Sequence, residues 1–319
     1  MPKSLKRCVI AAALTASVGL AQTAHANALA VSDALLSSLL FRNALTGQVL
    51  DVSNFTTLAF TNSATVTASL GGAAATQSGA GSPLDLYACA PGSVGCPANN
   101  TFPFTMPPPT STFALADQLE SGAPISGLGF PTGATVNAGA YASLTMPTSG
   151  DSNATNRLAA TFTFAFPAAT PITIEFNARA YVDAFTAAGE PFPTNAISGI
   201  NVCFDIVGPV LVHWCPNGVP APADVTDTGI VTSTEPFSLN VTRAAIAPTN
   251  GNNQFGPFGP GFFSATTVPL LSGQLSAVEQ ATASALEVAQ VVPEPATLLL
   301  LGVGMLGFGF ARRKLSKKH

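Results

Sequence analysis

The sequence predicts a mainly β protein, an antiparallel and jelly-roll-like β-sandwich, and three observations predict it. Apolar and polar residues alternate with period two over several stretches, the pattern of a strand with one buried face. Proline and glycine, 26 and 28 of the 319 residues, fall in many places between those stretches. The chain is 47% hydrophobic and only 9% charged, yet Asn27 to Val292 holds no apolar run of the ~18 residues that a membrane helix requires.

The elements follow in order. Ser32 or Asp33 can cap a helix in which Leu35, Leu36, Leu39, Leu40 and Phe41 recur at helical spacing, ending near Gly47; the same apolar run also suits a first β-strand. Gln48 to Phe60 and Ala64 to Leu70 are strand candidates. Residues 71–112, with Gly71-Gly72, Gly79 to Pro83 and the Pro107 to Pro109 triplet, are expected to form a loop-rich insertion. Phe162, Phe164 and Phe166 interleave with Thr161, Thr163 and Ala165. Ile172, Ile174, Phe176, Ala178, Ala180 and Val182 occupy one side of a strand whose other side carries Thr173, Glu175, Asn177, Arg179, Tyr181 and Asp183. Gly199 to Val207 and Val210 to Trp214 are further strands, Phe237, Leu239 and Val241 repeat the alternation, and Gln274 to Val288, rich in alanine, suits a helix.

The two ends differ from this body. Met1 to Ala26 has a basic start, an apolar stretch from Cys8 to Leu20 and the small-x-small sequence Ala24-His25-Ala26, which predicts a secretory signal peptide cleaved before Asn27. At the other end Val292-Pro293-Glu294-Pro295 precedes sixteen residues, Ala296 to Ala311, that are apolar or glycine except for Thr297; residues 312–319, opening with Arg312-Arg313, form a basic tail. A helix of sixteen residues covers about 24 Å, enough to span a bilayer if the basic stems snorkel. The positive-inside rule then keeps the tail cytoplasmic and the body on the exported side. Each proline fixes its own φ and restricts the residue before it, so the Pro-Glu-Pro box is held extended, as a protease cleft requires.

This ending resembles the PEP-CTERM sorting signal of Gram-negative bacteria. The resemblance covers 292–319 and implies recognition by exosortase, a membrane protease-transpeptidase, with Pro293, Glu294 and Pro295 as the recognition box and Arg312 and Arg313 blocking full translocation. The body, 27–291, resembles the exosortase-dependent surface-associated family in Val52-Ser53-Asn54-Phe55, Tyr87 to Cys96, Glu235 to Asn240 and Phe262 to Thr267. That family brings no established activity.

Eight of the twelve basic residues lie at the two ends. From Asn27 to Val292 four arginines, no lysine and fifteen acidic residues give a formal charge of -11. Nucleic-acid binding needs clustered Lys and Arg and is excluded on this ground, and adhesion to anionic lipid is disfavoured. Membrane contact is therefore expected only through the sorting helix before processing.

The body keeps four cysteines, an even number that favours disulfides in an exported chain. If Gly208-Pro209-Val210 closes a hairpin, Asp205 faces His213 and Cys203 faces Cys215, a bridgeable cross-strand pair at a non-hydrogen-bonded position. Cys89 and Cys96 would then close a small loop.

Catalytic patterns are sparse. Asp227-Thr228-Gly229 copies the aspartic-protease tripeptide, but that chemistry needs a second carboxylate from another copy, and a turn is the better account. Gly302 to Gly307 spells a dinucleotide fingerprint inside the sorting helix, where small-residue packing explains it. His213, with Asp205 opposite, has the form of an oriented base, but no nucleophile-elbow serine accompanies it. Asp224, Asp227 and Glu235 are the candidate oxygen ligands for calcium, although their spacing fits no ligand loop and dispersed solvated carboxylates are expected. The expectation is a non-enzymatic surface or matrix protein without cofactor or metal, whose partners are signal peptidase and the export machinery, exosortase and exopolysaccharide. The alternative is a carbohydrate-binding sandwich, for which one Trp and three Tyr offer few stacking groups.

Overall fold

The computed structural model describes residues 27–106, 110–145, 150–187, 194–246 and 251–287. These form two antiparallel sheets. The first sheet comprises β1 (Ala28–Asn43), β4 (Leu84–Cys89), β5 (Phe113–Ser121), β6 (Ala134–Leu144), β8 (Ile172–Thr186), β11 (Ile230–Thr234), β13 (Gly251–Phe255) and β14 (Gly261–Thr267). Its order is β11-β14-β8-β1-β6-β5-β4, with β13 also on β8. The second comprises β2 (Thr57–Leu70), β3 (Ala73–Ala80), β7 (Gly150–Thr170), β9 (Thr194–Val207), β10 (Val212–Trp214), β12 (Val241–Ile246) and β15 (Leu270–Glu287). It runs β10-β9-β15-β7-β2-β3, with β12 on β9. The chain passes repeatedly from sheet to sheet, as between β6, β7, β8 and β9, which is the jelly-roll habit.

The core divides into two kinds of packing. Phe162, Phe164, Phe166, Ile174, Phe176, Phe204 and Trp214 fill one part, whereas Ala30, Ala116, Ala140, Ala154, Ala196 and Ala283 line another. Side chains this small require the sheets to approach closely. Four polar groups register that approach, each donating to a backbone carbonyl of the facing sheet: Ser32 Oγ to Thr282 O (2.9 Å), Ser152 Oγ to Phe113 O (2.7 Å), Asn156 Nδ2 to Asp117 O (2.5 Å) and Ser198 Oγ to Asp183 O (2.7 Å). Buried polar atoms satisfied in this way fix the relative position of the sheets.

Several expectations change. The helix from Ser32 is strand β1, paired on both sides with β6 and β8. Its register shifts between Leu36 and Leu39 against β6 and between Ser37 and Leu40 against β8, and Ser38 has φ 55°. This bulge reverses the inside-outside parity, so Leu36, Leu39 and Phe41 all face the core and their spacing imitates a helix. The alanine-rich segment after Gln274 is not a helix but part of β15, held between β7 and β9, because ladder pairing on both edges overrides helix propensity. Between Gln48 and Thr57 the expected strand gives way to a short 3₁₀ turn, Val52–Asn54. There the Asp51 carboxylate accepts the Ser53 amide and the Asn54 side chain accepts the Asp51 amide, a local competitor to the ladder. Phe237 and Leu239 lie in a bend, with a strand beginning only at Val241. Within 71–112, β3 and β4 are regular, and the loop proper starts at Ala90.

That loop covers the outer face of the first sheet. Phe104 and Met106 pack with Leu29, Val31, Leu115, Tyr141 and Tyr181, so the strand expected to be half-buried at β8 is buried on both faces at Tyr181 and Asp183. The Cys89–Cys96 disulfide closes the loop's base, Tyr87 Oη donates to Pro97 O (2.7 Å), and the Arg179 guanidinium stacks 4.2 Å from the Phe104 ring centre.

Candidate functional site

The densest set of chemistry-bearing residues lies at the β9–β10 edge of the second sheet. The hairpin adopts the expected register, Val212 on Ile206, His213 on Asp205 and Trp214 on Phe204, and the Cys203–Cys215 disulfide bridges it at a Cα separation of 4.3 Å. Alternation splits its residues into two layers. Outward, Asp205 Oδ1 lies 2.5 Å from His213 Nδ1, and His213 Nε2 lies 3.4 Å from Cys215 Sγ. Inward, Trp214 is fully buried between Phe204 and Phe176.

The indole Nε1 donates to Glu235 Oε1 (2.7 Å), and Glu235 also accepts the Ser233 hydroxyl (2.9 Å) and the amides of Asn217 (2.9 Å) and Gly218 (3.1 Å). Asp224 accepts the Thr226 amide and hydroxyl, both at 2.7 Å, and Asn217 Nδ2 at 2.5 Å. Burial lifts the Asp227 carboxyl to about 6, reinforced by the charges of Glu235 and Asp224 and opposed by the Cys215 amide, which falls short of hydrogen-bond geometry, and by His213. The expectation that these three carboxylates disperse into solvent is therefore corrected: they lie close together, and Asp224 and Glu235 are buried and spent on protein donors. Among the described residues no group of three or more His, Cys, Asp or Glu is arranged to hold a metal ion. Asp227-Thr228-Gly229 is not the expected turn but an antiparallel bridge followed by a bend, with Thr228 paired to His213 through reciprocal backbone hydrogen bonds of 2.8 and 3.0 Å.

Two other acidic sites lie where sequence alternation gave little warning. Inside the sandwich, Glu120 and Glu279 line a mainly apolar cavity of about 40 Å³. This is far below the ~150 Å³ that admits an aromatic ring. Asn62 Nδ2 donates to Glu120 Oε2 (2.9 Å), while neither Glu279 oxygen has a partner. Burial holds Glu120 up at about 7 and Glu279 well above the ordinary carboxyl range, so both resist ionisation. Under the loop, one row across the first sheet reads Tyr87, Asp117, Gly139, Asp33, Tyr181. Tyr141 donates to Asp33, and Tyr181 Oη donates to Asp183 Oδ2 (2.9 Å). Burial raises Asp33 and Asp183 and lifts Asp117 to about 7; the Asn100 and Thr101 amides draw Asp117 back without bonding either oxygen. Gly139 is required here, since a Cβ would stand 2.6 Å from Tyr141 Oη and 2.9 Å from Asp33 Oδ1. For Glu120 and Glu279 the sequence signal is an acid at the core phase of an alternating strand, as Glu279 is between Ala277 and Ala281, whereas Asp33, Asp117 and Asp183 are on the outward phase and are buried only by the loop.

The structure places Cys89 with Cys96 and Cys203 with Cys215. Asn27 is the first described residue, and its carbonyl accepts the Ala187 amide (3.0 Å). Ala24, Ala26, Pro293, Glu294, Pro295, Arg312, Arg313 and the span Ala296 to Ala311 lie outside the described residues. No helix among the described residues is long and apolar enough to cross a membrane.

Comparison with known families supplies the decisive observation. Residues 291–314 match the PEP-CTERM protein-sorting motif. The chain therefore carries the signal of an exported protein processed by exosortase and sorted to the cell surface. No curated protein and no solved structure matches the chain.

Proposed function

We propose that the protein is a non-enzymatic component of the cell surface or extracellular matrix of a Gram-negative bacterium, released from the inner membrane by exosortase and associated with exopolysaccharide in biofilm. The observation that carries this reading is the sorting motif at 291–314, which follows a β-sandwich whose buried acids are held neutral or hydrogen-bonded to protein. Signal peptidase acts first, after Ala26, and the sorting helix anchors the chain only until exosortase cleaves it.

The outer face of the second sheet supports the polysaccharide association. One row across it carries Thr76, Thr67, Thr155, Thr282, Gly199 and Thr242, and the adjoining rows of that face carry Ser69, Asn153 and Ser284 on one side and Ser78, Thr65, Arg157 and Gln280 on the other. These rows present mainly neutral hydroxyls and amides at the ~4.8 Å spacing of strands, with Arg157 the one charged side chain among them. Such a surface exchanges hydrogen bonds with a neutral glycan without charge repulsion. Aromatic stacking, the mark of a dedicated sugar-binding module, is not what the described tryptophan and tyrosines offer: Trp214, Tyr141 and Tyr181 are buried, and the half-buried Tyr87 is tied to Pro97 O.

Fractionating cells with and without exosortase tests the proposal. The expected result is loss of the protein from the surface and matrix fractions without exosortase. Unchanged surface delivery in those cells would contradict it.

A further inference from the structure

The β9–β10 corner contains one arrangement that sorting and polysaccharide association leave unused. We infer that Cys203–Cys215 is a thiol-exchange site, in which an external dithiol attacks Cys203 and His213, positioned by Asp205, assists the departure of Cys215. The inference goes beyond the proposed function and does not depend on it. It concerns a stoichiometric reaction of the protein's own disulfide.

The geometry distinguishes the two sulfurs. His213 Nε2 lies 3.4 Å from Cys215 Sγ, and Nδ1 lies 2.5 Å from Asp205 Oδ1. A carboxylate and a disulfide sulfur are both acceptors, so both contacts are donations only when the ring carries a proton on each nitrogen. That is the state able to give a proton to a leaving thiolate. Cys203 Sγ instead faces Asn240 Oδ1 at 3.9 Å, and that amide is held by donating Nδ2 to Val202 O (3.1 Å) and Pro216 O (2.8 Å). An acceptor oxygen opposes negative charge on Cys203, so Cys215 is the sulfur that leaves. The groups facing His213 are all acidic: Asp205 from β9, with Asp224 and Asp227 from the segment before β11. The site is reachable from the outer face of the hairpin, where the side chains of His213 and Asp205 are 39% and 40% exposed and Cys203 and Cys215 are half-buried.

The step balances with a dithiol as reductant. One thiolate of the dithiol bonds to Cys203 Sγ as the Cys203–Cys215 bond breaks, and the electron pair leaves on Cys215 Sγ, which takes the proton from His213 Nε2. The second dithiol sulfur then closes on the first and expels Cys203 as a thiol. The dithiol is oxidised by two electrons to its cyclic disulfide, and the protein gains two thiols. Exchange is faster when the leaving sulfur is stabilised.

The molecule carries its own control. Cys89–Cys96 has no such neighbour, since His213 is the one histidine among the described residues. The test uses the full oxidised chain in detergent with dithiothreitol as probe, from pH 5.5 to pH 8.5. Samples are quenched in acid, alkylated, and both disulfides are mapped by mass spectrometry. Rates are expressed per dithiothreitol thiolate. The expected result is a Cys203–Cys215 rate that exceeds the Cys89–Cys96 rate by at least about tenfold at the acid end, with the excess falling as pH rises. His213→Ala and His213→Asn should both abolish the excess, the second keeping a hydrogen-bonding side chain that cannot give up a proton. Asp205→Asn should move the pH at which the excess is lost. A purely structural histidine predicts the opposite, because its removal exposes the sulfurs and speeds exchange. Equal rates at the two disulfides, or an excess unchanged or increased in both His213 variants while circular dichroism shows the native fold, would overturn the inference.

Discussion

Replacing Glu120 by glutamine should stabilise the protein at alkaline pH and leave it unchanged in acid. Glu120 is 4% exposed, and burial raises its carboxyl from 4.5 to about 7 against the opposing hydrogen bonds of Ser82 and Asn62. The folded chain therefore keeps a proton that the unfolded chain loses. The stability associated with that proton is complete below pH 4.5 and is lost as pH rises through about 7. Each pH unit in the window costs about 1.4 kcal/mol, so a window about 2.5 units wide gives about 3 kcal/mol at most and on the order of 2 kcal/mol once relaxation and water penetration around the carboxylate are allowed for. Glutamine retains the acceptor for Asn62 and does not titrate. Urea denaturation followed by the fluorescence of Trp214, the only tryptophan, measures the difference directly. The expected result is a variant equal to wild type near pH 4 and on the order of 2 kcal/mol more stable at pH 8. A variant less stable at pH 8, or a difference independent of pH, would show that Glu120 is ionised and usefully paired in the folded protein.

Other substitutions follow from the same geometry. Trp214→Phe preserves an aromatic ring against Phe204 and Phe176 but removes the donor to Glu235 Oε1, and should cost about 1 to 3 kcal/mol in urea denaturation read by circular dichroism. Gly139→Ala forces a Cβ against the Tyr141 hydroxyl and should cost about 1 to 3 kcal/mol, with hydrogen exchange increasing in the 90–106 loop that covers this row. His213→Ala should leave surface delivery at the wild-type level in cell fractionation, because the sorting signal lies elsewhere in the chain.

Much of the architecture is legible in the sequence. The alternation from Ile172 to Val182 places the inward face of β8 correctly, and the Gly208-Pro209-Val210 loop fixes the register that joins Cys203 to Cys215. What escapes has definite causes. A bulge at Ser38 shifts the parity of β1 and makes a strand imitate a helix. Alanine carries helix propensity, yet in β15 its small volume lets the two sheets approach. The burial of Asp33, Asp117 and Asp183 depends on the loop after Cys89 folding over the first sheet, a long-range event with no local signal. The sorting motif is legible because its three parts are contiguous. The thiol-exchange corner is legible only in part, since the hairpin pairs His213 with Asp205 but does not reveal which sulfur the ring approaches.

The most direct test of the sorting account is the intact mass of the protein recovered from surface and matrix fractions, compared between wild type and a chain in which Pro293-Glu294-Pro295 is replaced by alanines. The account predicts a wild-type chain that begins at Asn27 and lacks the apolar span from Ala296 onward, and a replaced chain that stays with the inner membrane at its full C-terminal length. Wild-type surface material that still carries Arg312 to His319 would contradict it and identify the apolar span as a permanent anchor.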